Sequence, residues 1–157
     1  MHYVCFFIKR AVFSALFFYF YSCSKPCQCW DYEQTVTPCP TYNSGRLTLY
    51  PQNDFRGLGL EIVKGYSGVR MYLNIYCLSF PQELDNPFKT LVTISNDSDS
   101  YDVLADRFEG GQRLLLPPEA ADNIIYRLLN NQSLTISVGR YCSEIIPEGF
   151  AKSLFKI

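Results

Sequence analysis

Histidine is all but missing from this chain: the only one among 157 residues is His2. A polypeptide that loses its first residues therefore keeps no imidazole, which excludes a Ser/His/Asp or Cys/His relay and removes the commonest zinc ligand. Charge is scarce as well, with Lys, Arg, Asp and Glu at 18% of residues and a formal net charge of −1. No Lys/Arg tract stands out, so the electrostatic footprint of a nucleic-acid binder is lacking. Long apolar runs are absent too. The uncharged stretch from Ala11 to Tyr21 rises only about 17 Å as a helix, well short of a hydrocarbon core of about 30 Å. Extending it backwards would bury Lys9 and Arg10 at a cost of several kcal/mol.

What is present begins with that same segment. Lys9-Arg10, the apolar run and the small residue Ser22 before Cys23 have the order of a basic n-region, an h-region and a cleavage site. Phe20-Tyr21-Ser22-Cys23 resembles the bacterial lipobox, in which a cysteine after a small residue receives diacylglyceryl and becomes the first mature residue. The expectation is a signal peptide over 1–22 and membrane attachment through a lipid on Cys23, two acyl chains being enough for stable anchoring. A plain secretory signal cut nearby is the alternative.

Without residues 1–22 the 157-residue chain keeps 135, which suits a single domain. Lys9 and Arg10 leave with the leader, so 12 basic side chains face 15 acidic ones. The seven cysteines are Cys5, Cys23, Cys27, Cys29, Cys39, Cys77 and Cys142. Loss of Cys5 and acylation of Cys23 leave an odd set, which implies a free or intermolecular thiol in an oxidising compartment. Cys27-Gln-Cys29 is too tight for a Cys-x-x-Cys redox motif and lacks a second pair to complete a metal site. Crosslinking to neighbours through Cys27, Cys29 and Cys39, or pairing of Cys27 and Cys29 with Cys39 and another cysteine, is the expected use.

Residues 23–45 contain Pro26, Pro38 and Pro40 and little periodicity, and read as a flexible tether; 46–157 read as a β-rich globular domain. From Val69 to Cys77 every odd position is apolar, the period-2 mark of a strand with one face in a core. Leu60 to Lys64, joined to it through Gly65-Tyr66-Ser67-Gly68, predicts a hairpin. Further strands are predicted at 89–95, 101–108, 112–116 and 133–141, separated by turn residues such as Gly110-Gly111 and Asn130-Asn131. Pro117-Pro118-Glu119 opens a helical stripe of Ala121, Ile124, Ile125, Leu128 and Leu129, and Pro147-Glu148 opens a second with Phe150, Ala151, Leu154 and Phe155. The fold class predicted is mostly β, an antiparallel β-sandwich or barrel with two short helices near the C-terminus. Cys77 and Cys142 share the parity of apolar neighbours and are expected to point inward, as a disulfide or as two buried thiols.

Candidate sites are few. Asp97, Asp99 and Asp102 could cradle Ca²⁺ only with oxygen ligands that the loop does not supply, and read as a solvated turn. Glu109-Gly110-Gly111-Gln112-Arg113 leads into a strand and not into a helix, so it reads as a hairpin turn and not as a phosphate loop. Arg70, Tyr72 and Tyr76 form a polar aromatic strip on the outer face of the best strand, a composition found at binding hot spots. No catalytic residue, metal or cofactor is predicted.

Gly68-Val69-Arg70-Met71-Tyr72-Leu73-Asn74, the run from Arg107 to Pro117 and the closing stretch from Gly139 to Phe150 resemble small lipoproteins of chlamydial bacteria. The order of strands, helix, strand and final helix is similar to periplasmic proteins of the invasion-associated locus B type. The first resemblance implies an envelope location where disulfide crosslinking is common, and neither implies an enzyme. Two readings are carried forward. The first is a lipid-anchored bacterial envelope protein that binds other envelope or host proteins or serves structurally. The second is a small secreted enzyme or inhibitor that works through carboxylate, tyrosine or cysteine groups.

Overall fold

Apolar and polar residues alternate along most of the chain, and the computed structural model, which describes residues 29–157, turns that alternation into one nine-stranded sheet. In chain order the strands are β1 (Trp30–Thr35), β2 (Ser44–Leu49), β3 (Gly59–Gly65), β4 (Gly68–Asn74) and β5 (Lys89–Ser95). They continue with β6 (Ser100–Arg107), β7 (Arg113–Leu115), β8 (Leu134–Val138) and β9 (Tyr141–Ile145). Helix α1 (Pro118–Leu129) links β7 to β8, and α2 (Phe150–Leu154) follows β9. The protein is therefore mostly β with two short helices, one of them near the C-terminus. All neighbours in the spatial order β1-β2-β3-β4-β7-β6-β5-β8-β9 are antiparallel.

The sheet is neither a stacked pair nor a closed barrel. It is continuous, and β1 and β9 are its unpaired edges. It can bend where its ladders are shortest, at Asp106↔Leu115 and Arg107↔Leu114 between β6 and β7 and at the three-pair ladders between β4 and β7 and between β5 and β8. The curl brings β9 against the chain just ahead of β3. There the Cys142 N–H donates to the Arg56 carbonyl at 3.0 Å, and Ser143 Oγ accepts from the Leu58 N–H at 2.7 Å. These local bonds stand where a barrel would need a full ladder.

Strand structure enters the described part of the stretch expected to be a tether. Residues 30–35 and 44–45 lie in β1 and β2, with Trp30 paired to Leu49 and Thr35 to Ser44. Trp30 is buried and its ring stands 4.9 Å from that of Phe150. Alternation is hidden here because the inward residues of β1 are Trp30, Tyr32 and Gln34, so its burial pattern fades after the first residue. Lys156 Nζ lies 4.1 Å over the Tyr32 ring, and Gln34 Nε2 donates to the Lys156 carbonyl. The closing helix thus packs over the β1 side of the core through Phe150, whereas Phe155 turns out to solvent.

Ala121, Ile124 and Leu128 of α1 enter the core as its period requires, and Leu129 stays exposed. An ion pair fastens α1 to the β5–β6 turn: Arg127 Nη1 and Nη2 donate to Asp99 Oδ1 and Oδ2 at 2.9 and 2.7 Å. Arg127 Nε also donates to Asn123 Oδ1 at 2.6 Å. The Arg127 hydrogen bonds hold the Asp99 carboxyl below its ordinary value of 3.8. A folded-state pKa that is depressed stabilises the fold above the unfolded value, and that contribution fades as pH falls through the folded value. Asp99→Asn should therefore unfold more easily than the parent at neutral pH, with the difference in urea midpoint shrinking as pH falls below the ordinary carboxylate value and through the lower folded one. A difference that persists undiminished in acid would remove the carboxylate from the account.

Candidate functional site

Strand pairing puts every second residue of β2, β3, β4 and β7 on the face turned away from the core, and one cluster on that face is unusually well organised. Glu61 of β3 lies opposite Tyr72 of β4, and Asn74 of β4 lies opposite Arg113 of β7. The diagonal neighbours converge on Glu61. Arg113 Nη2 donates to its Oε1 at 3.1 Å, Asn74 Nδ2 donates to Oε2 at 3.1 Å, and Arg46 Nε lies 3.4 Å from Oε1. Glu61 is only 7% exposed although it faces outward. On its way to Glu61 the Arg113 guanidinium crosses the Tyr72 ring at 4.0 Å, and Phe108 stands 6.1 Å beyond that ring.

Tyr76 extends the cluster past the end of β4. Its ring passes over Gly59, where an added Cβ would meet Tyr76 Cε2 at 3.6 Å. Burial pushes the Tyr76 phenol up from its usual value, assisted by Tyr50, Glu61 and Asp54 nearby. Tyr76 therefore stays a neutral hydroxyl across the physiological range. Arg70 and Tyr72 share the outer parity of β4, Tyr76 follows past its end, and the cation above Tyr72 is Arg113. Arg70 is exposed beside the hairpin, opposite Val63. Sequence reasoning missed Glu61, Asn74 and Arg113, whose phase within their strands marks them as outward but does not reveal that three strands bring them together.

The cysteines divide differently from expectation. Cys29, Cys39, Cys77 and Cys142 are all free thiols, and Cys142 is exposed. The parity expected for it assumes one strand over 133–141, but Gly139-Arg140 forms a two-residue turn there, and the hairpin runs on through β9 to Ile145. Val138 pairs with Tyr141 across that turn, so Tyr141 points inward and Cys142 outward, within 3.4 Å of Ser137 Oγ. Cys77 is half-buried beyond the end of β4, and its carbonyl accepts from Tyr141 Oη at 3.0 Å. Cys142 should react with a maleimide in the native protein within the time that exposed Cys29 and Cys39 do, and Cys77 more slowly. A Cys77–Cys142 peptide recovered crosslinked under non-reducing digestion would contradict this arrangement. Cys23, Cys27 and the leader lie outside the described residues.

The remaining candidates have structural partners. Asp99 holds Arg127, and Asp102 accepts from Thr93 Oγ1 at 2.6 Å. Gly110 and Gly111, with φ of 84° and 69°, make the β6–β7 turn, a backbone conformation that strains any residue with a side chain. Among the described residues no group of His, Cys, Asp and Glu could hold a metal, and no helix is long and apolar enough to cross a membrane. Two of the open clefts among the described residues bear on function. One of about 350 Å³ lies beside Gln34, Asn43, Lys64 and Ile157. The other, about 720 Å³, lies among Phe55, Arg56, Cys77, Leu78 and Arg140. Lys64 and Tyr66 line the first of them and Cys77 the second. No family model, curated protein or solved structure matches this chain, so the functional argument rests on its own residues.

Proposed function

We propose that this chain is a lipid-anchored bacterial envelope protein that binds a protein partner through the outer face of its sheet and catalyses no reaction. The observation that carries the reading is the cluster of Tyr72, Tyr76 and Phe108 around the Arg113–Glu61 pair. Tyrosine and arginine dominate binding hot spots, and here the arginine is already held in place by a carboxylate and a ring, which lowers the ordering cost of association. Exposed Cys29 and Cys39 favour a further crosslinking role. The lipobox-like leader and the resemblance to chlamydial lipoproteins support the address.

Two measurements test the proposal. Metabolic labelling with a fatty acid should mark the wild type and not Cys23→Ala; equal label in both would remove the anchor. A photoreactive residue placed at Tyr76 in cells should give a discrete adduct that the same residue at Leu84, fully exposed elsewhere, does not. Tyr72→Ala with Tyr76→Ala should weaken the partner by about 30-fold or more, the usual effect of losing a hot spot. Adducts of equal yield from both positions, or from neither, would sink the binding face.

A further inference from the structure

Resting on the anchoring reading, we infer that the 720 Å³ cleft at one end of the sheet is a site for an anionic phospholipid headgroup, held by Arg56 and Arg140. The argument begins with register. Trp30 pairs with Leu49, Leu49 with Leu60, and Leu60 with Leu73, so one row runs across four strands. Beyond that row, at the same end of the sheet, lie Cys29 where the described chain begins, the connection from β2 to β3, and the segment after β4. The β8–β9 turn joins them, since the Cys142 N–H reaches the Arg56 carbonyl at 3.0 Å. Chain entry and cleft therefore share one end of the molecule.

Distance makes that placement consequential. Cys29 follows Cys23 by six residue steps, which even fully extended span no more than about 22 Å. A lipid on Cys23 would keep this end of the sheet near the bilayer surface whatever path those residues take. β1 and β4 are three strand spacings apart, about 14 Å, so the cleft lies within the same neighbourhood.

The cleft's chemistry matches the surface it would meet. Among the described residues neither Arg56 nor Arg140 has a carboxylate partner, whereas Arg46, Lys89, Arg113 and Arg127 all do. Arg140 is braced against Tyr141, donating from Nη2 to its hydroxyl at 3.2 Å with the guanidinium 5.3 Å from the ring centre. Beside the two cations, Phe55 and Leu78 are 74% and 66% exposed. Leu78 is displayed there with a φ of 64°, a conformation costly for a leucine. Two unpaired guanidinium groups flanked by two bare apolar side chains suit a phosphate at the polar edge of an acyl layer.

Cys77, on the wall of the cleft, is a built-in reporter. The full-length chain in neutral detergent is titrated with dihexanoyl phosphatidylglycerol, with the phosphatidylcholine of the same chain length, and with inorganic phosphate. The maleimide labelling rate of Cys77 is followed by peptide mapping. The glycerol lipid should protect Cys77 and the choline lipid should not. Arg56→Gln and Arg140→Gln should each weaken protection about 5-fold, and together roughly 25-fold, as expected for basic residues at an anionic surface. Equal protection by both lipids, no protection, or an undiminished effect in the double variant would overturn the inference. So would inorganic phosphate acting at the same concentration as the lipid, which would make this a soluble-anion site. The two readings fail separately. Unlabelled Cys23 with a lipid-selective cleft removes the anchor alone, and labelled Cys23 with an indifferent cleft removes the headgroup site alone.

Discussion

Replacing Trp30 by alanine is expected to lower the unfolding free energy by about 3–5 kcal/mol, the range for emptying a large aromatic site in a core. Trp30 is 8% exposed, begins the edge strand β1 and packs at a tilt against Phe150, so its loss opens a cavity between sheet and closing helix. Were 23–45 a free tether, the same change would fall within about 0.5 kcal/mol of the parent. Urea unfolding of the two proteins decides between these outcomes. A second variant sharpens the test. Among the described residues the buried Trp30 Nε1 has no hydrogen-bond partner, so Trp30→Phe keeps a ring against Phe150 and removes an unsatisfied donor. Its cost should stay within about 1.5 kcal/mol, the relief of the donor offsetting part of the lost volume.

Removing the Arg113 side chain with Arg113→Met should cost about 2–3 kcal/mol, since it strips a charge-assisted hydrogen bond from a carboxylate that has little access to water. The reverse truncation is milder. Arg113 is 41% exposed at its side chain against 9% for Glu61, so after Glu61→Leu the guanidinium can turn to solvent while leucine fills the space. The double variant should recover much of the loss, with a coupling of about 1–2 kcal/mol in a double-mutant cycle. Strict additivity would mean that the pair does not act as a unit. Both variants also bear on binding, because Arg113 holds its place over Tyr72 through Glu61.

Much of the sheet is legible in the residues. The hairpin of β3 and β4 closes at Gly65 and Gly68, where a φ of 96° at Gly68 needs the absence of a side chain. The helix opened by Pro118 presents Ala121, Ile124 and Leu128 to the core, because a period of 3.6 leaves no other face to bury. Three strands escaped notice for identifiable reasons. β1 has one buried residue in six, its inward side meeting a short helix and not a second layer. β2 begins with Ser44 and Gly45, and Gly45 is required because Ile157 occupies the place of its Cβ, a contact 112 residues away along the chain. β9 was merged into β8 because Gly139 and Arg140 turn the chain without a proline or an asparagine to announce it. That single omission reversed the expected orientation of Cys142.

The candidate site divides along the same line. Alternation in a strand is a local consequence of backbone geometry, so the sequence alone determined that the fold is antiparallel and β-rich, and that Tyr72 lies on an outward face. Which outward residues become neighbours depends on strand order, and β4 lies beside β7, not β5. That choice was made by burial of the whole apolar set at once. It carried Arg113 across Tyr72 to Glu61, and it set Arg56 and Arg140 beside one cleft although they stand far apart along the chain.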